Sequence, residues 1–353
     1  MTPADPAWRG EALAPRLAGF IERQVGEPVA VANLHRFTAG LSWATIGFSL
    51  RREGRADEAL ILRIGDPNGL LAPYSARPEH LALSSLAGTP GLPAATSRWW
   101  SDDAAVIGAP FIVTSRLEGR TPMPIWPGAA PGAEEAADPA AEDRILDDFV
   151  EALAAVHACD WRDAPAAALD PEAAPETCVR DEIARWVARL PGADGRPEAP
   201  AMRYAAAWLH EHAPTAVRVA LLHGDYRVGN YMVKDGRISG ILDWELTHLG
   251  DPHEDLAWAG LRTLGGTETT LGGRLDRAEF LRRYSERTGL VIDADRIRYF
   301  EVLGQFKAAC LLLMARERVR RGAVHDARLA VMGLQPAAAQ MGLMSMIKAI
   351  RWT

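Results

Sequence analysis

The stretch LLHGDYRVGNYMVKDGRISGILDWE, residues 221–245, gathers His223, Asp225, Asn230 and Asp243 around a short hairpin whose other residues are largely apolar. Asp235-Gly236 is the strongest short-range turn signal a hairpin offers. With a two-residue turn there, the ladder predicts Val233 facing Ile238, Tyr231 facing Gly240 and Asn230 facing Ile241, with Asp243 one diagonal step away. Strand side chains alternate faces, so Asn230 and Asp243 are expected on one face, roughly 7 to 8 Å apart at the backbone. A carboxylate and an amide oxygen converging in this way suit Mg²⁺, which takes few protein oxygens and fills its shell with water and phosphate. Asp225, five residues before Asn230, falls in the turn that enters the hairpin. There it is placed to accept or orient the proton of an attacking hydroxyl, the role phosphoryl transfer asks of a carboxylate. His223 is expected to pack and to hydrogen-bond the turn. Taken singly, an aspartate beside a turn is more often a cap or turn former; the constellation as a whole reverses that preference.

A chain of 353 residues suits one two-lobed unit. Hydrophobic residues at 48%, charged residues at 24% and a mean hydropathy of -0.09 describe a soluble protein with a sizeable core. The net charge of -7 argues against a nucleic-acid partner, because neutralising phosphates requires a basic surface. No membrane partner is expected and the protein is read as cytoplasmic, since the start has no secretory pattern and no apolar run reaches about 18 residues. Cys159, Cys178 and Cys310 have no metal-like spacing and read as buried thiols. Oligomeric state is not legible.

Residues 1–116 are expected to form a small β-rich lobe containing the strands TIGFSLRR and EALILRI, with PEHLALSSLAG as its one clear helix. A connector rich in Pro, Ala and acid, TPMPIWPGAAPGAEEAADPAAED, follows. The larger part, 117–353, is expected to be helical. ILDDFVEALAAVHACDW, for example, puts Ile145, Leu146, Phe149, Val150, Leu153 and Val156 on one helix face.

His223-Gly224-Asp225, Asn230 and Asp243 resemble the protein-kinase signature of a catalytic aspartate, an asparagine five residues on and a later metal-binding aspartate. With glycine after the histidine and DWE after the hairpin, the chain is similar to the aminoglycoside phosphotransferase and choline kinase family. HGDYRVGN…GILDWELTHLGDPHEDLAW resembles most the bacterial phosphotransferases related to the kinase-like domain of acyl-CoA dehydrogenase fusion proteins. The resemblance implies an α+β, protein-kinase-like fold with a small β-rich N-lobe and a larger helical C-lobe. It further implies a phosphate loop over FTAGLSWATIGFSL, where Gly40 and Ser42 cover the phosphates. Arg63 stands where many members have lysine, with Glu79 on the next helix as its ion-pair partner. APFIVTSRLEGR is similar to the interlobe hinge, where the backbone of Ser115 and Leu117 would bind adenine. Asp255 would brace the catalytic turn, and Asp251 is read as a turn or cap residue.

The implied activity is that of an ATP- and Mg²⁺-dependent small-molecule kinase. Asp225 is its catalytic residue, Asn230 and Asp243 hold the metal, and the acceptor is a substrate hydroxyl, with a hydroxyacyl compound favoured. Two alternatives stand beside it: an aminoglycoside or other antibiotic O-phosphotransferase, for whose polycation Glu245, Asp251 and Glu254 are candidate partners, and a nucleotide-binding pseudokinase, suggested by Arg63. The arginines of the tail, such as those in ARERVRR, would suit an anionic substrate.

Overall fold

The computed structural model describes residues 12–38, 41–122, 139–191, 199–322 and 326–350. Gly40 and most of the Pro/Ala-rich connector lie outside these. The N-terminal part contains β1 (Val29–Phe37), β2 (Trp43–Arg52), β3 (Glu58–Gly65), β4 (Ser97–Ser101) and β5 (Phe111–Ser115), paired in the order β1-β2-β3-β5-β4. All four pairings are antiparallel. Period-two alternation sorts β3 cleanly. Leu60, Leu62 and Ile64 are fully buried against one face of the sheet, which leaves Ile61 and Arg63 on the other.

The first face is covered by a helix that the sequence reading passed over, α1 (Leu13–Val25). Its Leu13, Leu17, Phe20 and Ile21 pack on Ile46, Phe48 and Phe111. The second face receives α2 (Arg77–Ser85), whose Ala82 and Leu83 join Ile112 in the large core that continues into the C-lobe. A four-residue helix, α3 (Ala104–Ile107), precedes β5.

The C-lobe is predominantly helical: α4 (Pro139–His157), α5 (Cys178–Arg189) and α6 (Pro200–Glu211), then, after the catalytic segment, α7 (His253–Ala259), α8 (Arg277–Thr288), α9 (Ala294–Arg320), α10 (Ala327–Met332) and α11 (Pro336–Ala349). The six apolar positions expected on the inner face of α4 are all buried. Short strands carry the catalytic segment: β6 (Ala220–Leu222) pairs with β9 (His248–Gly250), and β7 (Tyr231–Lys234) with β8 (Arg237–Ile241). The Gly/Thr-rich stretch after α7 forms the small pair β10 (Thr270–Leu271) and β11 (Leu275–Asp276).

The C-terminal helices reach back to the N-lobe. Leu70 and Leu71 pack with Met314, Ala315 and Leu329. Arg318 of α9 donates to the carbonyl of Ala72 (2.7 Å), and Arg328 of α10 donates to the carbonyl of Thr38 (2.8 Å). Arg320 and Arg321 pair with Glu317 on the same helix. These tail arginines are therefore engaged within the protein.

Beneath the catalytic segment, Lys307 of α9 is wholly buried. Its ammonium lies 2.6 Å from Glu254 Oε1 and 2.9 Å from Glu182 Oε1. The rings of Trp186 and Trp258 flank it with centroids at 5.3 and 5.2 Å. A charge can be kept in a core only when it is paired in this way. Lys307→Met strands two buried carboxylates, and breaking such a cluster is expected to cost about 3–5 kcal/mol. Arg298→Ala, which removes an exposed pair with Asp295, is expected to cost less than about 1 kcal/mol. Denaturant midpoints of the two variants against the parent check both values.

Candidate active site

The catalytic turn begins where β6 ends. Gly224 has φ 81°, and a Cβ there would sit 2.1 Å from the carbonyl oxygen of Leu246, so the turn admits only glycine. The turn is held from below by Asp255 in the first turn of α7, as the resemblance implies. Its carboxylate accepts from the backbone N–H of His223 (2.7 Å) and of Gly224 (2.9 Å). It also bonds His157 Nε2 (3.1 Å), whose Nδ1 meets the Tyr284 hydroxyl (2.7 Å). Burial pushes the Asp255 carboxyl upward, but the bonds and charge from His157 and His223 outweigh it and hold the pKa at about 2.

His223 fulfils its packing role. The Asp225 N–H donates to Nδ1 (3.2 Å), so Nε2 carries the proton and donates to the Leu242 carbonyl (2.9 Å). Burial pushes this imidazole down, toward the neutral form. Asp251 is a turn residue before α7, accepting from His253 N–H (2.9 Å) and His253 Nδ1 (2.7 Å), and also from the Val217 N–H (2.9 Å).

The Asp225 carboxylate is oriented from three sides. Oδ1 accepts from Trp258 Nε1 (2.7 Å) and Arg227 Nε (3.2 Å), while Oδ2 accepts from Asn230 Nδ2 (2.6 Å). A carboxylate offers about four acceptor sites, so one on Oδ2 is left for a hydroxyl. Asn230 Nδ2 also donates to the Asp225 carbonyl (3.0 Å). With its nitrogen spent on Asp225, Asn230 offers Oδ1 to a cation.

The hairpin pairs its strands in a register other than the one expected. Asp235 and Gly236 both have positive φ, and Val233 pairs Ile238 as predicted, but the register then shifts: Met232 pairs Gly240 and Tyr231 pairs Ile241. Ser239 is the extra residue of a β-bulge. Its hydroxyl donates to the Glu118 carbonyl (2.6 Å), and Gly240 makes room for Leu117, whose Cδ1 would be 2.6 Å from any Cβ there. Asn230 consequently lies opposite Leu242, accepting its N–H at 2.8 Å. The chain then turns sharply at Asp243, which has φ 61° and ψ 61°. An aspartate in that left-handed region is uncommon and gathers at functional positions.

Arg63 crosses from β3 to meet this segment. One guanidinium nitrogen lies 2.8 Å from Glu79 Oε1; the other lies 3.2 Å from Asp243 Oδ1 and 3.6 Å from Glu245 Oε2. Burial works against the Arg63 charge, but the three surrounding carboxyls more than restore it. Burial pushes the Glu79 carboxyl up, with Arg63 pulling it back. Burial likewise pushes Glu245 up, to about 8, with Arg63 opposing and Asp243 adding to the rise. Asp243 remains 46% exposed. Its carboxylate and the amide oxygen of Asn230 are the hard-oxygen donor types that Mg²⁺ takes, so the chemistry of these residues fits the ion. The buried grouping of Glu182, His248 and Glu254 already has the Lys307 ammonium against two of its carboxylates.

Of the remaining predicted residues, Ser42 has its hydroxyl 3.0 Å from Tyr74 Oη, which also donates to the Ser42 carbonyl (2.8 Å). Ser115 ends β5, where its N–H donates to the Thr96 carbonyl (2.9 Å), and Leu117 follows in the segment that crosses to the C-lobe. Trp258 and Tyr74 were not anticipated. Trp258 had a signal: it lies three residues after Asp255, hence on the same face of α7.

The chain belongs to the phosphotransferase enzyme family, whose profile matches residues 47–300. Among curated relatives it is similar to acyl-CoA dehydrogenase family member 11 of Gallus gallus, 26% identical over 300 residues covering 80% of this chain and 36% of the relative. The chain spans about a third or less of the length of such relatives. Among solved structures it is similar to a candidate aminoglycoside phosphotransferase of Ralstonia eutropha, with TM-score 0.66 and 26% identity over 96% of this chain and 99% of the other. It also shares its fold with LicA, solved in complex with AMP, with TM-score 0.61 and 16% identity over 96% of this chain and 100% of that one. The fold of the solved structures it resembles and the matched profile agree on this family.

Asp255 gives a pH prediction. A carboxyl held at about 2 in the folded state, against its ordinary 3.8, adds stability that is present above pH 4 and lost as pH falls toward 2. That linkage amounts to about 2 kcal/mol. Denaturant midpoints of the parent and of Asp255→Asn, taken from pH 6 down to pH 3, are expected to converge as the pH drops. A constant gap would contradict the assignment.

Proposed function

We propose that the protein is an ATP- and Mg²⁺-dependent small-molecule kinase that transfers the γ-phosphoryl group to the hydroxyl of a hydroxyacyl compound. The observations that carry the reading are the Asn230–Asp225 bond at the entry to the hairpin and, after the hairpin, the contact of Asp243 with Arg63, which is itself paired to Glu79. In this reading Asn230 Oδ1 and the Asp243 carboxylate hold the metal, which neutralises phosphate charge when bound. Asp225 accepts the substrate hydroxyl on its remaining Oδ2 site and orients its proton toward the carboxylate. Trp258 and Arg227 keep that carboxylate from rotating. Arg63, held by Glu79, and the loop containing Gly40 and Ser42 face the phosphates. The backbone at Ser115 and Leu117 takes the adenine.

Two features support a substrate other than a polycation. The carboxylates that a polycation would need are committed internally: Glu254 to Lys307, Asp251 to Val217, His253 and Arg296, and Glu245 to the surroundings of Arg63. The curated relatives bear acyl-CoA dehydrogenase names, which points to acyl chemistry.

Millimolar Mg-ATP is expected to raise the melting temperature, since a ligand at 100 times its Kd adds about 2.7 kcal/mol. Chelator or Asp243→Ala should remove the metal-dependent part of the rise. Asp225→Asn should keep the rise but lose phosphoryl transfer by about 10²-fold or more. Transfer is read with labelled ATP against hydroxyacyl thioesters, hydroxy acids and kanamycin-like amino sugars. Full transfer by Asp225→Asn would overturn the catalytic assignment, and transfer confined to the amino sugars would overturn the substrate.

A further inference from the structure

We propose that Glu245 is a positioning residue: it receives the guanidinium of Arg63 when Asp243 turns to the metal. This rests on the metal-binding reading of Asp243 given above.

Three observations carry it. Arg63 uses its two terminal nitrogens differently, one at 2.8 Å from Glu79 and the other at 3.2 Å from Asp243 and 3.6 Å from Glu245. The Glu245 atom nearest to it, Oε2, is buried and has no hydrogen-bond partner. Leaving such an atom unpaired is costly, and its nearest cation stands less than about 1 Å beyond hydrogen-bond reach. Glu245 also sits in the single 3₁₀ turn Trp244–Leu246 that follows Asp243 directly, so it shares that residue's rigid frame.

The electrostatics give the movement a direction. With Arg63 against Asp243, a dication entering at the same carboxylate meets a positive charge a few ångströms away. Pivoting about the Glu79 bond toward Glu245 relieves that repulsion without leaving the guanidinium unpaired. The pivot needs two nitrogens on a planar fork, one to stay on Glu79 and one to move. A lysine ammonium is a single point charge and cannot divide itself in this way. Glu245 thus supplies a physical reason for arginine at position 63.

The test is calorimetric titration of AMP-PNP, with and without Mg²⁺, into the full chain and into Glu245→Gln, Arg63→Lys and the double variant. In the parent, Mg²⁺ is expected to tighten binding. In Glu245→Gln, affinity without metal should stay within about twofold, while the gain from Mg²⁺ should fall at least tenfold. In the Arg63→Lys background, Glu245→Gln should have no further effect, because Glu245 acts through the guanidinium. An undiminished Mg²⁺ gain in Glu245→Gln overturns the proposal alone. An equal loss in both backgrounds also overturns it, by making Glu245 a direct metal ligand. No Mg²⁺ gain in the parent overturns the metal reading beneath it.

Discussion

A buried carboxylate fixes the site. Asp255 accepts the N–H groups of two consecutive residues, His223 and Gly224, and bonds His157 from α4, so one side chain ties α4 and α7 to the segment that presents Asp225. The turn cannot be built from ordinary backbone: Gly224 adopts positive φ against the Leu246 carbonyl, and unpaired amides at such a place would be expensive in a dry interior. The orientation of Asp225 follows from that anchor. His223 reads the position of the hairpin through Leu242, and Trp258, one turn along α7 from Asp255, holds Asp225 itself.

The same economy governs the cleft between the lobes. Arg63 joins β3 and α2 of the N-lobe to Asp243 of the C-lobe, and it does so inside a protein that also bolts the two lobes together through Arg318 and Arg328. Buried charges here are placed where geometry matters and each has a named opposite. Lys307, for instance, lies against the face of Trp258, the residue whose other end orients Asp225. Stability of the core and alignment of the carboxylate are thereby coupled through one indole.

Much of this was legible because it is local. The spacing of His223, Asp225, Asn230 and Asp243 within one hairpin announced the constellation, and the family resemblance named Glu79 as the partner of Arg63. What escaped the sequence depends on distant partners. The bulge at Ser239 is stabilised by Glu118 and by Leu117 packing on Gly240, more than a hundred residues away in the chain, so the ladder drawn from the turn alone paired Asn230 with the wrong residue. Glu254 and Asp251 looked available to a cationic substrate because Lys307 and Arg296 lie far along the chain. The helix α1 is a different case: Leu13, Leu17, Phe20 and Ile21 have helical spacing in plain view, and the sequence alone does not say which face of the sheet they cover.

The most direct measurement is a crystal structure of the chain grown with Mg²⁺ and AMP-PNP. The account predicts a metal about 2.0–2.1 Å from the Asp243 carboxylate and from Asn230 Oδ1, with the terminal phosphate facing the Oδ2 side of Asp225. A nucleotide bound with its metal away from these two residues, or a cleft left empty at saturating concentrations of both, would contradict it.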